Sequence, residues 1–362
     1  MPKKIFAGIG GGKNARKPAS ISALFILGFI MAGCMPPRVA ITALRPAAFH
    51  EASKLKNVAV LPFDGNGGED FAAKFEAMLS GINVADKQFF TVVERSKLEN
   101  ISDKELKLAQ TGIVDAKTAA KIGRAIGAKG VFTGTVNVLN TEDASYMERR
   151  RECAAYQTKF DKKGREYKEC ASWSDYEVSC TKRTAAFSVT PRLVEVETGK
   201  IAYSQNIAKT GQDSGCSDSG KALVSEAQLI EGTQLAVLES IKKDIASYYV
   251  TLDIQLMDST EGLLSGEDKQ RLKSGNEFAA RHRLDRACEL WGAAQSRSGK
   301  SPALLYNLGV CSEAAGDLNT AQDMYKKADR LTAKPVEAIT LALDRVDKQI
   351  KGQGKLAEQI KE

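Results

Sequence analysis

The sequence predicts an α/β domain, a mixed sheet with packed helices and a β-hairpin insertion, followed by an all-α helical module. Three observations carry that expectation. Between residues 55 and 258, short runs rich in β-branched residues alternate with segments whose apolar residues recur at helical spacing. Residues 187–205 place two strand-like runs on either side of a glycine turn. Beyond residue 266, small and aromatic residues return with a period of about 34 residues, a spacing used by stacked helical pairs.

The chain opens on a leader. Residues 1–33 carry Lys3, Lys4, Lys13, Arg16 and Lys17 and no acid, and Leu24, Phe25, Ile26, Leu27, Phe29 and Ile30 form an apolar stretch too short for a comfortable membrane span. Met31-Ala32-Gly33-Cys34 ends that stretch and resembles the lipobox of bacterial lipoproteins. The resemblance implies a signal peptide over 1–33, cleavage before Cys34 and its acylation. With no Asp at position 35, it also implies a lipid-anchored place on the periplasmic face of the outer membrane. An uncleaved anchor is the alternative. Residues 34–54 hold Pro36, Pro37 and Pro46 without a clear apolar period and read as a tether, with His50 in it.

Asn57 to Leu61 form a short apolar strand closed by Pro62 and the turn residues Asp64, Gly65, Asn66 and Gly67. In the helix that follows, Glu69–Leu79, the residues Phe71, Phe75, Met78 and Leu79 share one face. Phe89–Arg95 reads as a second strand. Asp115 can cap a helix running to Ile126, striped by Ala119, Ile122, Ala125 and Ile126 and ended by Gly127. Gly130–Val138 is a third strand. Phe187–Val196 and Ile201–Gln205 form the hairpin, with Pro191 confined to an edge or bulge because it cannot donate to a ladder. A helix from about Lys221 to Tyr248 and a strand alternating Val250, Leu252, Ile254 and Leu256 complete the domain over 55–258.

Five pieces in this order resemble the CsgG-like family of curli-secretion lipoproteins: Val58–Phe63, Thr91–Ser96, Ala119–Gly123 with Gly127–Lys129, Thr133–Val136 and Val194–Lys200. The resemblance covers roughly residues 55–250. It implies a periplasmic α/β domain at the outer membrane and no catalytic residues. In the family's secretion channel, inserted hairpins form a transmembrane barrel, whose strands need about ten residues of apolar alternation each. Residues 140–186 lack that pattern: Met147–Glu152 and Lys159–Glu166 are dense in charge. A water-exposed hairpin is therefore expected, with Tyr156, Thr158 and Phe160 on one arm and Tyr167, Cys170 and Trp173 on the other.

Of seven cysteines, lipid takes Cys34, and six remain for an oxidising compartment. Two disulfides are expected among Cys153, Cys170, Cys180 and Cys216, and one between Cys288 and Cys311. No metal site is expected, since no Cys-x-x-Cys pair occurs and only His50 and His282 could add nitrogen ligands.

Gly275, Phe278, Leu284, Ala287, Trp291 and Ala294 recur as Gly309, Ser312, Leu318, Ala321, Tyr325 and Ala328. This resembles the tetratricopeptide repeat, in which small residues let two helices approach and an aromatic fills the gap. It implies two repeats over 266–335, a capping helix and tail over 336–362, and protein partners in the groove. An unrelated pair of helical hairpins is the alternative.

The whole chain has 52 basic and 45 acidic residues, and loss of the leader's five leaves 47 against 45, so no nucleic-acid partner is expected. Enzymatic readings lack residues. Gly8–Lys13 resembles a phosphate loop only superficially, with Asn14 where Ser or Thr belongs and no strand before it. His50 in the tether and His282 on a repeat helix give no home for a triad. Asp64 and Glu94 end strands and read as turn caps. Trp173 with Tyr176 offers a carbohydrate platform or hairpin packing. The reading is an outer-membrane-anchored, non-enzymatic assembly or secretion scaffold without cofactor, held by outer-membrane lipid through Cys34 and open to homo-oligomerisation. The alternative is a lipoprotein activator of a periplasmic cell-wall synthase.

Overall fold

Four consecutive apolar residues, Val58 to Leu61, are all buried, which a strand achieves only where both faces of its sheet are covered. The strand is β2 (Asn57–Val60). In the computed structural model, which describes residues 36–93 and 115–361, it runs parallel to β5 (Thr91–Val92) on one side and to the start of β6 (Gly130–Phe160) on the other. β6 pairs antiparallel with β7 (Glu166–Glu195), whose far flank is shared by β8 (Ile201–Ser204) and β9 (Ile207–Cys216). The sheet is mixed, as expected. Pro191 falls between the end of the β9 pairing at Val189 and the start of the β8 pairing at Arg192, a break where no donor on that flank is needed.

Helices cover both faces. On one, Phe71, Phe75 and Leu79 of α2 (Gly68–Ser80) and Val237 and Ile241 of α4 (Glu226–Ile245) pack on Val58, Val60, Phe132, Phe187 and Val189. On the other, Ala119, Ile122 and Ile126 of α3 (Ala116–Ile126) meet Ala59, Leu61, Val131 and Val194. Asp115 caps α3 by accepting from the Thr118 N–H at 2.7 Å, and Gly127 ends it at φ +74°. The helix expected from Lys221 starts instead at Glu226, because Ser225 and Gln228 close a capping box there.

The expected tether over 34–54 is corrected from Arg38 onward. β1 (Arg38–Arg45) pairs antiparallel with β10 (Tyr248–Gln255), from Arg38 opposite Gln255 to Arg45 opposite Tyr248, and α1 (His50–Lys54) follows. Val39, Ile41 and Ala43 alternate buried with exposed neighbours, a two-residue period that the flanking prolines and small alanines disguise. The second expected strand is also shorter. Phe89 and Phe90 enter the core from a turn, after the small hairpin of β3 (Asn83–Val84) and β4 (Lys87–Gln88), and only Thr91 and Val92 pair with β2. Glu94, Arg95 and Ser96 lie outside the described residues, as do residues 1–35 with Cys34 and the Gly8–Lys13 run.

The C-terminal region is five helices: α5 (Gly266–Ala279), α6 (Leu284–Gln295), α7 (Pro302–Ala314), α8 (Leu318–Arg330) and α9 (Glu337–Ile360). Gly275 and Gly309 occupy equivalent places. A Cβ on Gly275 would stand 2.3 Å from Trp291 Nε1, and one on Gly309 2.5 Å from the Tyr325 ring, so each aromatic lies where only a glycine leaves room. Ala287, Ala294, Ala321 and Ala328 are fully buried between the helices. Phe278 departs from expectation: it is 38% exposed, since α5 is the first helix of the stack and, among the described residues, no earlier helical unit covers that face. Val39, Ile41 and Ile254 of the β1–β10 ribbon, and Leu256 just after it, join this helical core.

Candidate functional site

The longest feature of the structure is the ribbon made by β6 and β7. β9 accompanies it as a third strand until Cys180 stands opposite Cys216, and Ser217 N–H still donates to the Ser179 carbonyl; beyond, among the described residues, 147–160 and 166–178 have no third strand beside them, a reach of roughly 45 Å at ~3.3 Å per residue. Asp161–Arg165 turn the tip, where Asp161 Oδ1 accepts from the N–H groups of Lys163 and Arg165. Disulfides Cys180–Cys216 at the base and Cys153–Cys170 across paired bulges staple the arms, and Cys288–Cys311 joins α6 to α7.

Charge is distributed over both faces of this ribbon. Between Tyr146 and Cys153 one face presents Met147, Arg149 and Arg151 with Trp173, Asp175 and Glu177; the other presents Glu148, Arg150 and Glu152 with Tyr176 and Val178. Asp175 accepts from both Arg149 and Arg151 at 2.9 Å, and Arg150 binds Asp218 at 2.8 Å. Neither face is apolar from base to tip, and a Lys or Arg facing lipid near midplane costs about 2–4 kcal/mol. Trp173 and Tyr176 point to opposite faces and form no shared platform. Trp173 is 60% exposed, whereas the Tyr176 hydroxyl donates to Asp218.

The end of α9 closes back on the α/β domain. Buried Gln359 accepts from Ala47 N–H at 2.7 Å and from the Ser247 hydroxyl at 3.0 Å, and its carbonyl accepts from Lys56 Nζ. Lys56 also lies 3.1 Å over the Phe89 ring, and burial pushes its ammonium down to about 8. His50 Nε2 lies 2.9 Å from Glu358 on this same helix. The sequence offered no signal for this latch, because one glutamine near a helix end has no pattern. Asn307 was equally hidden: it grips both backbone groups of Met257, fixing the link between β10 and α5.

The other candidate residues lie apart. His50 stands on α1, not in a tether, and His282 stands at φ +61° in the turn between α5 and α6, not on a helix. Asp64 Oδ1 accepts from Gly65 N–H in its own turn. Glu148 comes close to Cys180 and Cys216, but those sulfurs are bonded to each other and offer no thiolate to a metal. Among the described residues no helix is long and apolar enough to cross a membrane.

A family model described as curli production assembly/transport component CsgG matches residues 58–245. Among solved structures, the chain is similar to the PelC dodecamer of Paraburkholderia phytofirmans at 14% identity, covering 57% of this chain and 96% of that one, with a TM-score of 0.24. A methionine-substituted PelC dodecamer from the same organism gives 15% identity, coverage of 57% and 97%, and a TM-score of 0.24. No curated protein matches. The matched residues span the whole sheet from β2 to α4 and more than half of the chain, and the chain belongs to the CsgG family.

Proposed function

We propose that this chain is a non-enzymatic component of an assembly or secretion apparatus, held by acyl chains on Cys34 to the periplasmic face of the outer membrane. The observation that carries the reading is the family match over residues 58–245, whose description is that of an assembly and transport component. The ribbon supports a role in water: it is long, stapled and charged on both faces, and its outer edges offer unpaired backbone groups to a second copy or a cargo segment. The helical pairs from α5 to α8, spaced like tetratricopeptide repeats, are the second protein-binding surface in this reading.

Fractionation of cell envelopes tests the anchored scaffold. Cys34→Ser is expected to leave the outer-membrane fraction and appear in the soluble periplasm, since two or more acyl chains supply stable anchoring and a single missing thiol removes them all. A variant that stays in outer membranes after a high-salt wash would contradict the reading.

A further inference from the structure

β1 starts at Arg38, which leaves little chain between the anchor and the fold. On the reading that Cys34 is acylated, only Met35, Pro36 and Pro37 intervene, and four residues of extended chain reach at most roughly 14 Å. On that reading the surface around Pro37 stays within about 14 Å of the anchor.

That surface has the features of a membrane contact. Pro37 borders a groove of about 590 Å³ formed with Asp258, Thr260 and the outer side of α5. Lys269 and Lys273, one turn apart on α5, line it together with Asp258 and Glu277, and among the described residues none of these four charges makes an ion pair. Two free cations beside two free anions match a zwitterionic headgroup, phosphate to the lysines and ammonium to the carboxylates. Leu264 lies on the same loop and is 79% exposed, more than any other large apolar side chain described. The loop is not slack there. Leu264 N–H donates to Ser298 Oγ at 2.9 Å, and Gly262, at φ +74°, sits so close to the Lys300 carbonyl that a Cβ would fall 2.2 Å from its oxygen.

We propose that the loop 258–265, Pro37 and the outer side of α5 form the face that lies on the phospholipid surface, with Leu264 entering the boundary between headgroups and acyl chains. The helical module is then the membrane-proximal part. The α/β domain starts a strand's length further from the anchor, about 25 Å along β1. The proposal rests on the acylation of Cys34, and its test separates the two.

Protein purified from the envelopes of cells expressing the full sequence is reconstituted into vesicles of phosphatidylethanolamine and phosphatidylglycerol, with and without bromine on the acyl chains, and flotation is scored beside tryptophan emission. Leu264→Trp, a change at an exposed position, is compared with the unsubstituted protein so that Trp173 and Trp291 form the background. The expected result is flotation of both proteins and loss of most of the added indole's emission in brominated vesicles, with the background unaffected. Flotation with the added indole unquenched overturns the proposed face and leaves acylation standing. Failure to float overturns both, since nothing would then hold this face to the bilayer.

Discussion

Glu313→Ala is expected to destabilise the helical module by roughly 3–5 kcal/mol, the range for breaking a buried ion pair from one side. The Glu313 side chain is fully buried and accepts from Arg345 Nε and Nη2 at 2.7 Å each, from Gln349 Nε2 at 2.7 Å and from the Tyr325 hydroxyl at 2.8 Å. Truncation leaves a guanidinium, an amide and a phenol without their acceptor in a site that admits little water. Burial and the neighbouring carboxylate push the Tyr325 phenol well above its usual range, and burial takes Tyr306 up to about 12, so both stay protonated as donors at physiological pH. Urea unfolding of the variant measures the loss. A double variant, Glu313→Leu with Arg345→Met, should recover part of it, because the unpaired guanidinium is gone while the Tyr325 hydroxyl and the Gln349 amide still lack their acceptor. A loss below about 1 kcal/mol for the single variant would mean that α9 is held by its apolar face alone.

Replacing Cys180 and Cys216 together by Ser should cost about 3–4 kcal/mol, the loop-closure value for a cross-link between residues separated by 36 in sequence. The effect is regional. β9 is an edge strand whose outer half carries few buried side chains, so without the staple its pairing with Cys180–Val189 is expected to open well before the sheet does. Hydrogen exchange across 207–216 should accelerate strongly while that of β2 stays slow. Unchanged protection in β9 would show that strand pairing alone secures the ribbon's base. Loss of Cys153–Cys170, which lies beyond the third strand, should instead free only the tip.

Where local chemistry decided the structure, the sequence was readable. Asp115 and Gly127 bracket α3 because a carboxylate at the first turn and a left-handed glycine at the last are local requirements. The 34-residue recurrence of Gly275 with Trp291 and Gly309 with Tyr325 was visible because one close approach of helices was repeated. What escaped was decided at long range. β1 has the right alternation, but its partner lies some two hundred residues on, and Pro36, Pro37 and Pro46 argue locally for a linker. The full extent of the ribbon was hidden by Glu148–Glu152, a run that resembles a solvated loop until Asp175 and Asp218 are brought opposite its arginines. Gln359 and Asn307 each act alone on backbone groups, and a single buried amide leaves no period to detect.

The central claim is that this family member uses its hairpin in water, not in lipid. Planar bilayer recording with the purified, lipidated full-length protein addresses it directly. Because Arg149, Arg150, Arg151, Lys159 and their acidic partners occupy both faces of the segments that would have to cross the membrane, the account predicts no stable conductance. A reproducible channel that disappears when residues 145–180 are deleted would contradict it and make the ribbon a membrane-spanning element.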